Sequence, residues 1–289
     1  MTIVGILLAA LTLCGLLLAI RWFLALRRLP ADDPRRGAPT LFEVLIGFVF
    51  NFFDTLGIGS MAPTTAVFRL FHLVPDELIP GTLLIGLALS VTTQALFFVS
   101  VVSVDTWQLT ALIVVCVLGG WIGAGVVSSL SRRAVQIGMG CALAAAATFM
   151  LLGMLGLFPA GGTALALSPV ALAVALVVTF ILGALLTLGI GNYAPSLIMF
   201  SLLGMDPRAA FPIMAGAGAF VATIAGIRFI NAGRLQWRTA LGLTAGGIPG
   251  VIVAAWLVQS LPLETLRWLV LAVVSYASVT LLRAGLRST

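Results

Sequence analysis

The sequence predicts an all-α polytopic membrane protein. The expected plan is an inverted repeat of two units, each a broken, re-entrant helix hairpin plus three transmembrane helices, with one extra helix in front. Three observations carry this expectation. The 289 residues are 61% hydrophobic and 8% charged, whereas a soluble domain averages about 25% charged residues. Apolar stretches of the ~20 residues that a bilayer-spanning helix needs follow one another almost end to end, without the ten-residue alternation of barrel strands. The middle of the chain also resembles itself at a fixed spacing of 132 residues.

The first element is the apolar run over residues 2–26. Its positive charges (Arg21, Arg27, Arg28) follow the run instead of preceding it, which predicts a retained helix with its N-terminus outside and not a signal peptide. Leu-Thr-Leu before Cys14 does not fit a lipoprotein cleavage site. Residues 27–40, RRLPADDPRRGAPT, form the one long polar stretch, and its prolines and mixed charges make it a surface linker.

The repeat follows. Residues 55–64 read TLGIGSMAPT and residues 187–196 read TLGIGNYAPS; the same offset pairs Phe48 with Phe180, Phe68 with Phe200, Pro75 with Pro207, Pro80 with Pro212, Gly86 with Gly218 and Phe97 with Phe229. Looser echoes pair Trp107 with Trp237 and GGWIG (119–123) with GGIPG (246–250). The expected divisions are 1–40 for the N-terminal helix and linker, 41–160 for the first membrane repeat and 161–289 for the second.

Each repeat opens with a segment that a simple helix does not explain. Residues 41–73 as one helix would run ~50 Å, against a hydrocarbon core of ~30 Å. Gly57, Gly59 and Pro63 interrupt it in the middle, supplying a permissive backbone and a missing donor. The competing reading is a kinked, strongly tilted span, and the arginines separate the two. With re-entrant hairpins, crossings fall at about 81–102, 108–129, 137–158, 211–230, 239–258 and 267–284, and only Arg208 and Arg267 fall on the minority side. If both segments span, Arg69, Arg132 and Arg133 change sides and the asymmetry weakens, so positive-inside reasoning prefers hairpins. Three crossings per unit invert the second unit relative to the first, the architecture of many secondary transporters. The C-terminus is then cytoplasmic, in a bacterial inner membrane.

Helix breaks inside a membrane expose free N–H groups and a positive dipole end, which suit an anion. The second half-helix of each unit should start near Ser60 and Asn192. The expected substrate-binding residues are Gly57, Gly59, Ser60, Thr64 and Gln94 from the first unit, with Gly189, Gly191, Asn192, Tyr193 and Ser196 from the second. The alternative is that these groups only cap broken helices. Asp54 is an ionisable group at membrane depth, costly there and functional by default. Two readings stand for it: a proton-coupling residue, or a carboxyl that holds the broken backbone.

Other features have plainer readings. All 15 basic residues are arginines, against 9 acidic residues, and their position at segment ends sets orientation; nucleic acid is not an expected partner. Arg228 is read as structural, with its head snorkelling. Trp107 and Trp237 are read as interface anchors. Cys14, Cys116, Cys141 and the single His72 lack the clustering of a metal site. No metal and no cofactor is expected.

At the two Gly-Ile-Gly motifs, and again at GRLQWR (233–238) followed by GGIPG, the chain resembles the sulfite exporter TauE/SafE family, also called TSUP, over about 41–285. Members typically carry Gly-Ile-Gly-Gly-Gly before a proline and a Trp-Arg turn; here the runs are GIGS and GIGN, and the first unit has VDTWQ. The resemblance implies movement of small sulfur-containing anions, such as sulfite or organosulfonates, out of the cytoplasm. The expected function is therefore a secondary transporter working by alternating access, with a small anionic substrate and the lipid bilayer as partners and with proton coupling as an option. An anion channel is the alternative, and an intramembrane enzyme is disfavoured by the absence of any Ser/His/Asp or Cys/His set.

Overall fold

The computed structural model describes the chain except residues 1, 31, 32, 34, 35, 57, 58, 128, 158–162, 188–190, 258–267, 269, 270, 272–274, 277, 280, 281, 284 and 287–289. The described residues are mainly helical. In order, α1 is Ile3–Arg28, α2 Leu41–Thr55, α3 Met61–Leu70, α4 Ile79–Val101, α5 Thr106–Val127, α6 Arg132–Met154, α7 Pro169–Leu186, α8 Tyr193–Leu202, α9 Pro207–Asn231 and α10 Trp237–Leu257. Isolated described residues beyond 267 are also helical and pack on α6, where the Ser278 hydroxyl donates to the Gly140 carbonyl at 2.8 Å.

Local sequence explains the starts. Thr40 and Glu43 form a reciprocal capping box on α2, Ser131 and Ser168 cap α6 and α7, and Asp206 with Pro207 at the first turn starts α9. Each satisfies orphan N–H groups that lipid could not.

Both expected breaks occur. The half-helix α8 begins and ends 132 residues after α3. The ends of the first hairpin come back together: the ring of Phe42, at the start of α2, lies 5.1 Å from that of Phe71, just past α3. The second hairpin closes likewise, since the Asp206 N–H beyond α8 donates to the Ala164 carbonyl ahead of α7 at 2.9 Å. The two mouths lie with different helix ends. Arg238 and Thr239, at the start of α10, bind Glu43 at the first mouth. Gln108, at the start of α5, exchanges hydrogen bonds of 2.7 and 2.8 Å with the Leu167 backbone at the second.

The packing is reciprocal. α2 lies along α10 and α7 along α5, while α4 and α9 pair with each other. Glycines make the close approaches. A Cβ on Gly246 would sit 1.8 Å from the Val44 carbonyl oxygen and one on Gly250 2.4 Å from that of Phe48; one on Gly119 would sit 2.0 Å from the oxygen of Phe180. Phe48 and Phe180 are repeat partners, so GGIPG and GGWIG do the same task for opposite units, as small-residue membrane interfaces do.

Seven helices among the described residues are long and apolar enough to cross a membrane: α1, the Asp76–Val101 segment containing α4, α5, α6, α7, α9 and α10. The expected set differs at one place. It counts 267–284, which falls mostly outside the described residues, and treats α7 as a hairpin arm; α7 has 18 residues against 15 for α2, so the two units are unequal in their first arm. A second difference concerns Trp237. It is 3% exposed and packs on Trp22 of α1, ring centroids 6.5 Å apart, whereas Trp107 is 70% exposed. The extra helix covers one tryptophan of the pair, so Trp237 is a core residue and not an interface anchor.

Candidate functional site

The break between α2 and α3 folds the chain back on itself. Gly59 has φ +90°, a conformation that glycine adopts without steric cost. This lets Asp54, on the last turn of α2, meet the start of α3. The Asp54 carboxylate faces the hydroxyl and the backbone N–H of Ser60. Ser60 therefore occupies the N-cap position of α3 but makes no side-chain cap bond of its own. A negative group at a helix N-terminus is favourable on dipole grounds and fills donors that the membrane cannot.

Asp54 also joins the second unit. With its amide nitrogen turned to the carboxylate, Gln94 of α4 donates to Asp54 Oδ2 at 3.1 Å. The same nitrogen lies 3.0 Å from the Tyr193 hydroxyl, and the amide oxygen accepts from the Thr55 N–H at 3.3 Å. Tyr193 is the first residue of α8, so a chain of side chains runs from the end of one break to the end of the other. The backbones converge as well: a Cβ on Gly191 would be 3.9 Å from Met61 Cβ. Tyr193 then contacts Phe211 of α9 edge-on, and Phe211 contacts Phe98 of α4.

Of the residues expected at the site, Asp54, Ser60, Gln94 and Tyr193 meet directly, and Gly59 and Gly191 flank them. Asn192 instead donates to the Met214 carbonyl on α9 at 3.4 Å. The Thr64 hydroxyl is taken up by the Ser60 carbonyl at 2.7 Å. Ser196 lies one turn along α8 from Asn192, buried, its N–H bonded to the Asn192 carbonyl. Gly57 and Gly189 lie outside the described residues. All the described polar members are buried, none more than 6% exposed.

Sequence reasoning missed two neighbours. Asn51 Oδ1 and the Ser90 hydroxyl are buried without a hydrogen-bond partner, and both flank Gly247 of α10. The signal was present in Asn51, a polar residue one turn before Asp54 in an apolar run. Arg228 stays apart from the site, its guanidinium 4.3 Å above the Trp121 ring. Arg69 pairs with Asp76, to which Gln136 also donates. His72 is exposed at the hairpin mouth.

Residues 171–288 match the family model described as sulfite exporter TauE/SafE. The second repeat thus carries a TauE/SafE match. It takes in nearly all of α7 and the whole of α8, α9 and α10, and so includes the second break with Asn192 and Tyr193. TauE/SafE proteins are membrane transporters, not enzymes, and the apolar helices fit that class. No curated protein and no solved structure matches the chain.

Proposed function

We propose that the chain is a secondary transporter, acting as an exporter, of a small sulfur-containing anion such as sulfite or an organosulfonate. Its two units, 41–160 and 161–289, are inverted in a bacterial inner membrane and rock about the point where their breaks meet. One observation carries this reading: a buried polar chain, Asp54 to Gln94 to Tyr193, links the two helix breaks where the half-helices start. The hairpin mouths, held by different helix ends, support the inversion, and the TauE/SafE match supports the substrate class.

The geometry suggests how a proton is coupled. The donors of Ser60 that suit an oxyanion face the Asp54 carboxylate. Two negative groups cannot share them cheaply. Protonation of Asp54 weakens its hold on Ser60 and frees the N–H and hydroxyl for the substrate, so anion and proton occupy the site together. Gln94 of the same unit and Tyr193 of the facing unit then offer further donors.

A ligand that binds the native state raises its apparent stability. Purified protein should therefore be stabilised against heat by sulfite or an organosulfonate and not by neutral analogues, more strongly as pH falls. Asp54→Asn should bind the organosulfonate with no pH dependence. Unchanged pH dependence in a folded Asp54→Asn protein would remove the coupling role, and stabilisation by no sulfur anion would remove the substrate class.

A further inference from the structure

Away from the breaks, a cleft of about 250 Å³ opens between α1 and α9 beside the start of α10. Arg21 and Arg28 of α1 line one wall, and Ile227, Ile230 and Asn231 of α9 line the other. The two arginines are seven residues apart, two helical turns on one face, which spans ~10.5 Å along the helix axis. A third guanidinium is at the rim, because Arg36 donates to the carbonyl of Leu29, a lining residue, at 3.2 Å. Among the described residues, none that lines the cleft is acidic. Arg27, between the two, faces elsewhere and stacks 4.3 Å from the Phe23 ring.

We propose that this cleft holds the headgroup of an anionic glycerophospholipid. The charge fits a phosphodiester, which arginine grips through paired donors. The setting favours a lipid over a free anion. Leu17, Ile20 and Leu24 of α1 are about half exposed, so an acyl chain would lie on apolar helix surface below a headgroup held at the arginines. Basic clefts between membrane helices at the positively charged end are where such headgroups bind. The occupant would also bridge α1, which stands outside both repeats, to α9 of the second unit.

Native mass spectrometry of delipidated protein, offered equal phosphatidylglycerol and phosphatidylethanolamine, tests this. The wild type should retain phosphatidylglycerol preferentially by roughly tenfold or more, the scale expected of two arginines near an anionic headgroup. Arg21→Gln with Arg28→Gln should bring the two lipids near parity, and Arg133→Gln, an exposed arginine elsewhere, should leave the preference intact. Excess inorganic phosphate should not displace the lipid. Undiminished preference in the double variant would overturn the proposal, and displacement by phosphate would assign the cleft to a free anion instead. Should the double variant not fold, photo-crosslinking of wild-type protein by a headgroup-labelled phosphatidylglycerol decides the matter: labelling of residues 21–29 or 227–233 supports the site, and labelling confined to other helices refutes it.

Discussion

Asp54 and Ser60 form the contact on which the site turns, and two glycines next to it make different demands. Gly59 has φ +90° with open space around a would-be Cβ, whereas Gly191 has ordinary backbone and a would-be Cβ in normal contact with Met61. Gly59→Ala should therefore cost about 1 to 2 kcal/mol of stability through backbone strain alone. Gly191→Ala should fold with near wild-type melting temperature, so any loss of anion binding it shows reports the ligand's approach. A Gly59→Ala protein as heat-stable as wild type would contradict the backbone account. Gly59 was legible in the sequence because a break needs a permissive residue. The direct Asp54 to Ser60 contact was not, since it depends on the turn between them and no spacing rule specifies that path.

At the level of helices, the glycines of GGIPG and GGWIG let α10 meet α2 and α5 meet α7 at backbone distance. Filling either contact forces the helices apart. Gly246→Ala and Gly119→Ala should each destabilise the fold by about 1 to 3 kcal/mol, the usual scale of overpacking, read as lower melting temperatures in detergent. If only one of the two did so, the reciprocity of the two contacts would be incomplete. The small-residue motifs were visible in the sequence as sites of close packing, but their partners were not. Nothing in an apolar helix names the helix it lies on, and only the tertiary arrangement places Phe48 against Gly250 and Phe180 against Gly119. The same limit hid the covering of Trp237 by α1: tryptophan at a segment end reads as an interface anchor until another helix is seen to pack there.

For the whole molecule, the fold class, the two breaks and the length of the repeat follow from composition and the 132-residue offset, because hydrophobic length and glycine interruption are local properties. Orientation is a separate matter. In a cysteine-free background, single cysteines at 72 and 131 should label from one side of the membrane, and those at 103 and 166 from the other; all four positions are exposed. Labelling of 72 from the side opposite to a cysteine at the exposed linker position 38 would show that the first opening segment crosses the membrane. The central claim is that one buried site at the junction of the breaks carries a sulfur anion by alternating access. Substrate counterflow in proteoliposomes tests it most directly. Vesicles preloaded with unlabelled sulfite or organosulfonate should take up labelled anion in a transient overshoot, as a carrier does and a channel does not. Gln94→Leu, folded but with the link between Asp54 and Tyr193 cut, should abolish the overshoot; an undiminished overshoot in that variant, or none with wild-type protein for any sulfur anion, would contradict the account.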